Sequence, residues 1–252
     1  MSNYDRNYSA ASRVGVDRAA VIDAGLRAHM IRVYNYMAGG VALTGVVAWL
    51  TFQFATVTND AGRLALTPFG QALFQTPLRW VLIFAPLALV FFISFRLGSL
   101  AASTARLLFF VYAALLGASL STIFLVYTVS SITQVFFVSA AAFGALSLWG
   151  YVTQRDLSAF GSFLIMGLFG IIIAGIVNIF LGSAMLSWLI STIGVLVFAG
   201  LTAWNTQTIK EMYDPMDDGT VAGRKVVMGA LQLYLDFINL FLSLLRLLGD
   251  RR

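Results

Sequence analysis

Cysteine is absent from all 252 residues, and histidine occurs once, at His29. No disulfide, thiol nucleophile or cysteine metal site can form, and a lone histidine has no second one with which to share a metal. His29 is expected as a plain interfacial residue. Charge is scarce too: Asp, Glu, Lys and Arg make up 11% of the chain, where soluble domains carry about a quarter. The net charge of +5 is modest, with arginines scattered at helix ends and in the tail. That pattern fits membrane topology and not a nucleic-acid-binding face.

What fills the chain is apolar. Hydrophobic residues make up 60% and aromatics 14%, and the mean hydropathy is +0.87. About 20 apolar residues in a helix cross the hydrocarbon core, and the chain holds seven such runs. They lie near Val33–Thr56, Trp80–Phe95, Leu107–Thr128, Ile132–Val152, Phe160–Leu181, Ala184–Trp204 and Val226–Leu248. The sequence therefore predicts an all-α integral membrane protein with seven transmembrane helices at 30–252. Residues 1–29 carry charges throughout and no apolar core, unlike a signal peptide. They read as a polar cytoplasmic N-terminal tail with a surface helix near Val16–His29.

Lys and Arg set the expected orientation. Arg6, Arg13, Arg18, Arg27, Arg32, Arg96, Arg106, Arg155, Lys210, Arg224 and Lys225 fall on one side, and Arg63, Arg79, Arg246, Arg251 and Arg252 on the other. This bias of 11 to 5 places the N-terminus in the cytoplasm. The connections Val129–Ser131 and Gly182–Ser183 are so short that their helices must be antiparallel neighbours. Residues 55–79 read as the longest loop. Gly167, Gly170, Ala174, Gly175, Asn178 and Gly182, and Gly117 with Ser121, read as small-residue packing faces. The acidic segment DPMDDGTVAGRK (214–225) lacks the spaced ligands of a calcium loop and ends in Lys225, not Glu, so it reads as a solvated loop.

One carboxylate, Asp236, interrupts the last apolar run. At steps of four and three, Gln232, Asp236, Asn239, Ser243 and Arg246 share one helix face, opposite Leu233, Phe237, Leu240 and Leu244. A membrane carboxylate faces the bundle interior or a water-filled cavity and not lipid. Asp236 is then either a hydrogen-bonded packing group or a titratable group on a proton or cation path. Thr202, Asn205 and Thr206 share a face near the end of the sixth span, and Asn205 is the natural side chain to approach Asp236. Other membrane chemistries find no support. A serine protease would need a histidine base in a span, and a retinal protein a lysine in its last helix; both are missing.

At these residues the chain resembles the Bax inhibitor-1 family, or transmembrane Bax inhibitor motif proteins. LYLDFINLFLSLLRLLG (233–249) is similar to that family's last-helix signature, and RDLSAFGSFLIMGLFGIIIAGIVNIFL (155–181) to its fifth helix. NTQTIKEMY (205–213) sits where the family commonly has an aspartate, a polar residue and QxIK. FRLGSLAASTARLLFFVYAALLGASLSTIF (95–124) resembles its second-to-third helix join. The resemblance implies a central seventh helix wrapped by the other six. It also implies a passive, pH-responsive calcium leak gated by an aspartate pair on helices six and seven, with an arginine at the end of helix two as latch.

Carried over, those positions are Asp236, Asn205 and Arg96, so one member of the pair is not an acid. An Asn–Asp pair still hydrogen-bonds, but only one member titrates, and one charge that would attract Ca²⁺ is lost. The expectations are therefore a non-enzymatic bacterial inner-membrane protein without cofactor, Ca²⁺ as permeant ion, and Asp236 as the one candidate metal contact. Its partners are the bilayer and calcium ions. The alternative is a non-conducting regulator that binds another membrane protein, such as a protease.

Overall fold

The structure is a computed structural model that describes residues 3–58 and 64–252, with side chains from residue 24 onward. Among these residues, seven helices are long and apolar enough to cross a membrane. Helix α1 runs from Asn3 to Ala55, and its membrane-compatible part begins at Ala24. The other spans are α3 (Leu78–Arg96), α4 (Ala102–Leu120), α6 (Val129–Val152), α7 (Ser158–Leu181), α8 (Ala184–Glu211) and α9 (Gly219–Leu248).

The segment between the first two spans is not a plain loop. Thr56–Thr58 (β1) pairs antiparallel with Leu64–Leu66 (β2), and Pro68–Gln75 forms a short helix, α2. Thr67 caps α2 by accepting the Gly70 N–H at 3.1 Å, and Pro68 occupies the first turn, where no N–H is needed. Strands of three residues are too short to leave a periodic signal. Arg63, which belongs to the same connection, lies outside the described residues.

Several expectations need correction. The third span is broken: α4 ends at Leu120, and a one-turn helix, α5 (Ile123–Val126), follows Ser121 and Thr122. Ser121 Oγ donates to the Ala118 carbonyl at 2.6 Å, giving a local partner to backbone freed at the break. The sixth span extends seven residues past Trp204 to Glu211. The acidic segment is loop only up to Asp218, whose carboxylate accepts the N–H groups of Thr220 and Val221 at 2.8 and 2.7 Å and so starts α9. His29 is buried, 2% exposed, with its ring 5.8 Å from that of Tyr213. The extension of α8 and the turn after it cover the histidine.

Helix α9 packs against α1, α4, α6 and α8, whereas α7 packs chiefly on α8 and α3 chiefly on α4. Tyr234, Leu233, Leu240 and Leu245 of α9 are fully buried with Phe109 of α4. Tyr234 also ties three helices together. Its hydroxyl lies 2.6 Å from Thr44 Oγ1 of α1, which donates to the Ala113 carbonyl of α4 at 2.8 Å. Such a chain satisfies polar groups that lipid cannot. The α1–α4 approach depends on Gly117, where a Cβ would stand 2.6 Å from the Thr44 carbonyl oxygen. The glycines of α7 divide. A Cβ at Gly167 would stand 3.1 Å from Val197 Cγ2 of α8, whereas nothing lies within 4 Å of one at Gly170 or Gly175, so only part of the expected stripe packs within the chain. Asn178 instead closes the α7–α8 turn, accepting the Ser183 N–H and donating to Ser187 Oγ.

Candidate functional site in the membrane interior

The polar face of α9 opens on a cavity of about 560 Å³. Gln232, Asp236, Asn239, Ser243 and Arg246 all line it, so one helical stripe supplies most of its polar wall, with Asn205 of α8 and Ser94 of α3. Helices α3, α7 and α8 supply an apolar wall that includes Val90, Ile171 and Phe198. Helix α8 comes close enough to frame the cavity because of Gly194, where a Cβ would meet Ser243 Oγ at 2.8 Å.

Asp236 is 4% exposed and Asn205 9%. The Asn205 amide Nδ2 donates to Asp236 Oδ2 at 2.7 Å, so the carboxyl has a partner from the neighbouring helix. The two other hydroxyls on that face of α8 turn away. Thr202 and Thr206 donate to carbonyls four residues back. Thr206 Oγ1 also lies 2.9 Å from Ser147 Oγ, which is 2.6 Å from the Tyr34 hydroxyl. This second chain joins α8, α6 and α1 behind the site.

Two side chains flank Asp236 along the stripe. Asn239 donates to the Leu235 carbonyl at 2.8 Å, leaving its amide oxygen available. Gln232 also lines the cavity, and its Oε1 is buried without a hydrogen-bond partner among the described residues. Buried acceptors left unpaired by protein are uncommon and point to a strained, wet or ion-facing position.

Arg96 is not part of this constellation. It is exposed at the end of α3 and makes no side-chain hydrogen bond among the described residues. Ser94 does line the cavity, and two residues further the helix has turned by about 200°. The cavity's one arginine is Arg246, which sequence reasoning placed on the polar stripe but gave no role. Among the described residues Asp236 is the one acid on the cavity wall, and no group of three or more His, Cys, Asp or Glu gathers.

A helical bundle with seven spans, an apolar exterior and, among the described residues, one buried carboxyl defines a multi-pass membrane protein. The family model described as inhibitor of apoptosis-promoting Bax1 matches residues 26–252. The chain belongs to the Bax inhibitor-1 family. It is 46% identical over 230 residues to RP147 of Rickettsia prowazekii, covering 91% of this chain and 92% of that one. It is 46% identical over 231 residues to the inner membrane protein YbhL of Escherichia coli K12, covering 91% and 94%. A Caulobacter vibrioides protein is 42% identical over 255 residues, spanning 100% of each chain.

Proposed function

We propose that this protein is a passive leak for cations, Ca²⁺ foremost, whose path runs through the Asp236 cavity and whose response to pH is blunted by Asn205. The observation that carries the reading is a buried carboxyl, partnered by Asn205, on the wall of a large cavity lined by four further polar residues of one helix. Ca²⁺ takes six to eight oxygen ligands when held firmly. One carboxylate with amide and hydroxyl oxygens binds it weakly, as passage requires. A gate of two aspartates would share a proton, because adjacent like charges cannot both ionise cheaply. With Asn205 in one position a single group titrates. In this reading α9 is the axis of the bundle, in keeping with its burial. The protein sits in the bacterial inner membrane, as the name of its Escherichia coli relative suggests for that protein.

Calcium flux into proteoliposomes of the purified chain, from about pH 6 to pH 8, tests the reading. Asp236→Asn should keep the fold and sharply reduce flux. Asn205→Asp should steepen the pH dependence, and adding Asp236→Asn should abolish that gain. A steep response in the natural chain, unchanged by Asn205→Asp, would put the gate elsewhere. Absence of flux at every pH would favour a non-conducting regulator of another membrane protein.

The N-terminus lies in the cytoplasm in this reading, from the 11-to-5 bias in Lys and Arg. Because the chain has no native cysteine, single cysteines placed at Ser9 and near Arg252 report it directly. An impermeant thiol reagent added to intact cells should label only the second; labelling both sites equally would refute a seven-span topology.

A further inference from the structure

A second polar recess, of about 140 Å³, lies where α4 and α9 begin, away from the Asp236 cavity. Arg32 and Tyr36 of α1 and Ser103 and Arg106 of α4 line it, over an apolar floor of Val226 and Val227 from α9. The two guanidiniums are largely unspent. Arg32 Nε donates to the Ala28 carbonyl of its own helix at 3.3 Å, and Arg106 Nη1 to the Tyr36 hydroxyl at 3.2 Å. Each guanidinium has five N–H donors. Among the described residues neither has a carboxylate within 4 Å, the one ion pair there being Lys225–Asp217. The first turn of α4, which holds Ser103, has neither a capping side chain nor an acid, so its positive end adds to the same field.

We propose that this recess binds the phosphate of an anionic phospholipid headgroup. Two arginines and two hydroxyls around one small space match a phosphate's several acceptor oxygens, which guanidinium groups engage in pairs. The space is several times the roughly 30 Å³ share of a water molecule, enough for a polyatomic anion. Its depth selects the source. Arg32 precedes the apolar stretch of α1 and Arg106 lies one turn into α4, which puts both charges at headgroup level, with valines facing the ester region. Basic recesses between spans at this depth suit anionic lipids.

Native mass spectrometry of the full chain in detergent, with equal amounts of phosphatidylglycerol and phosphatidylcholine, tests this. Phosphatidylglycerol adducts should dominate, and the preference should fall about fivefold with Arg32→Gln or with Arg106→Gln. Ser103→Glu sets a carboxylate inside the recess while favouring the helix start, so it should fold normally and abolish the preference. Arg155→Gln removes a charge elsewhere and should change nothing. A preference that survives Ser103→Glu in folded protein, or falls equally with Arg155→Gln, would overturn the site. Displacement of the lipid by millimolar inorganic phosphate would assign the recess to a free anion and overturn the lipid source.

Discussion

Helices α7 and α9 reverse the relation between apolarity and burial found in soluble proteins. The most apolar window of α7 has a mean hydropathy of 2.6 with 6% of its residues buried; that of α9 has 1.6 with 72% buried. In water the greasier helix goes inside. In a bilayer, lipid accepts an apolar helix on every side, and polar groups drive a helix inward, because hydrocarbon offers them no partners. Ile179 and Phe180 of α7 are 79% and 84% exposed, while Asp236 of α9 is 4% exposed. Packing follows the same division. The close backbone approach at Gly117 lies inside the bundle, and the glycines at 170 and 175 of α7 touch nothing.

The strongest way to break this comparison is one substitution made in both settings. Gly117→Leu would drive a side chain into the Thr44 backbone, where a Cβ already stands 2.6 Å from the carbonyl oxygen. Overpacking a tight site costs roughly 1–3 kcal/mol and sometimes more, so α1 and α4 should separate and the protein lose its thermal transition. Gly170→Leu should leave melting temperature and monodisperse elution unchanged or slightly improved, since leucine favours the helix by up to about 1 kcal/mol over glycine. Equal losses at the two positions would mean that α7 is packed in the membrane, against a partner or a second copy.

A smaller effect is expected from the polar stripe itself. Asp236→Leu removes the acceptor of the Asn205 amide and leaves a buried donor unpaired, at about 1–3 kcal/mol. Asp236→Asn keeps an oxygen for that donor and should melt close to the natural protein. The double change Asp236→Leu with Asn205→Leu should recover much of the loss, because two apolar side chains replace a satisfied pair. Thermal unfolding in detergent reads all three. A double variant no better than Asp236→Leu would show that the destabilisation comes from shape and not from an orphaned amide.

Most of the architecture was legible because membrane spans announce themselves by length and composition. The stripe on α9 was legible for a different reason, since five polar residues at helical spacing can face only one way. Asn205 was identifiable as the partner of Asp236 because it is the amide on a face whose other members are hydroxyls able to satisfy themselves on their own backbone. What escaped was set by tertiary contact. The β1–β2 hairpin has no periodicity of its own, and the continuation of α8 to Glu211 depends on packing that also buries His29. Gly170 and Gly175 read as part of the same packing face as Gly167 because small residues at three- and four-residue spacing look alike whether a helix or lipid faces them. Arg246 was placed on the right face and left without a role, since no sequence pattern shows that its side chain borders both the Asp236 cavity and a neighbouring one of about 390 Å³ that also contains Arg79.

That arginine gives the smallest predicted effect and a direct test of whether the polar wall of α9 acts as one electrostatic unit. Arg246 lies ten residues from Asp236, about 15 Å along the helix at 1.5 Å per residue. No direct ion pair spans that distance, so Arg246 acts on a cation near Asp236 through its field alone. At 15 Å a unit charge repels a divalent cation by about 0.6 kcal/mol in a water-like medium, and Arg246 is exposed at its end of the helix, which favours that limit. Screening at 0.01 M salt, where the Debye length is about 30 Å, leaves somewhat more than half of this. Arg246→Gln should therefore raise calcium flux about twofold in 0.01 M salt, and the gain should vanish near 1 M, where the Debye length is about 3 Å. Arg79→Gln, one cavity further out, should do less. A gain that persists at high salt would mean that Arg246 blocks the path by its bulk, and a loss of flux would mean that its charge holds the path open.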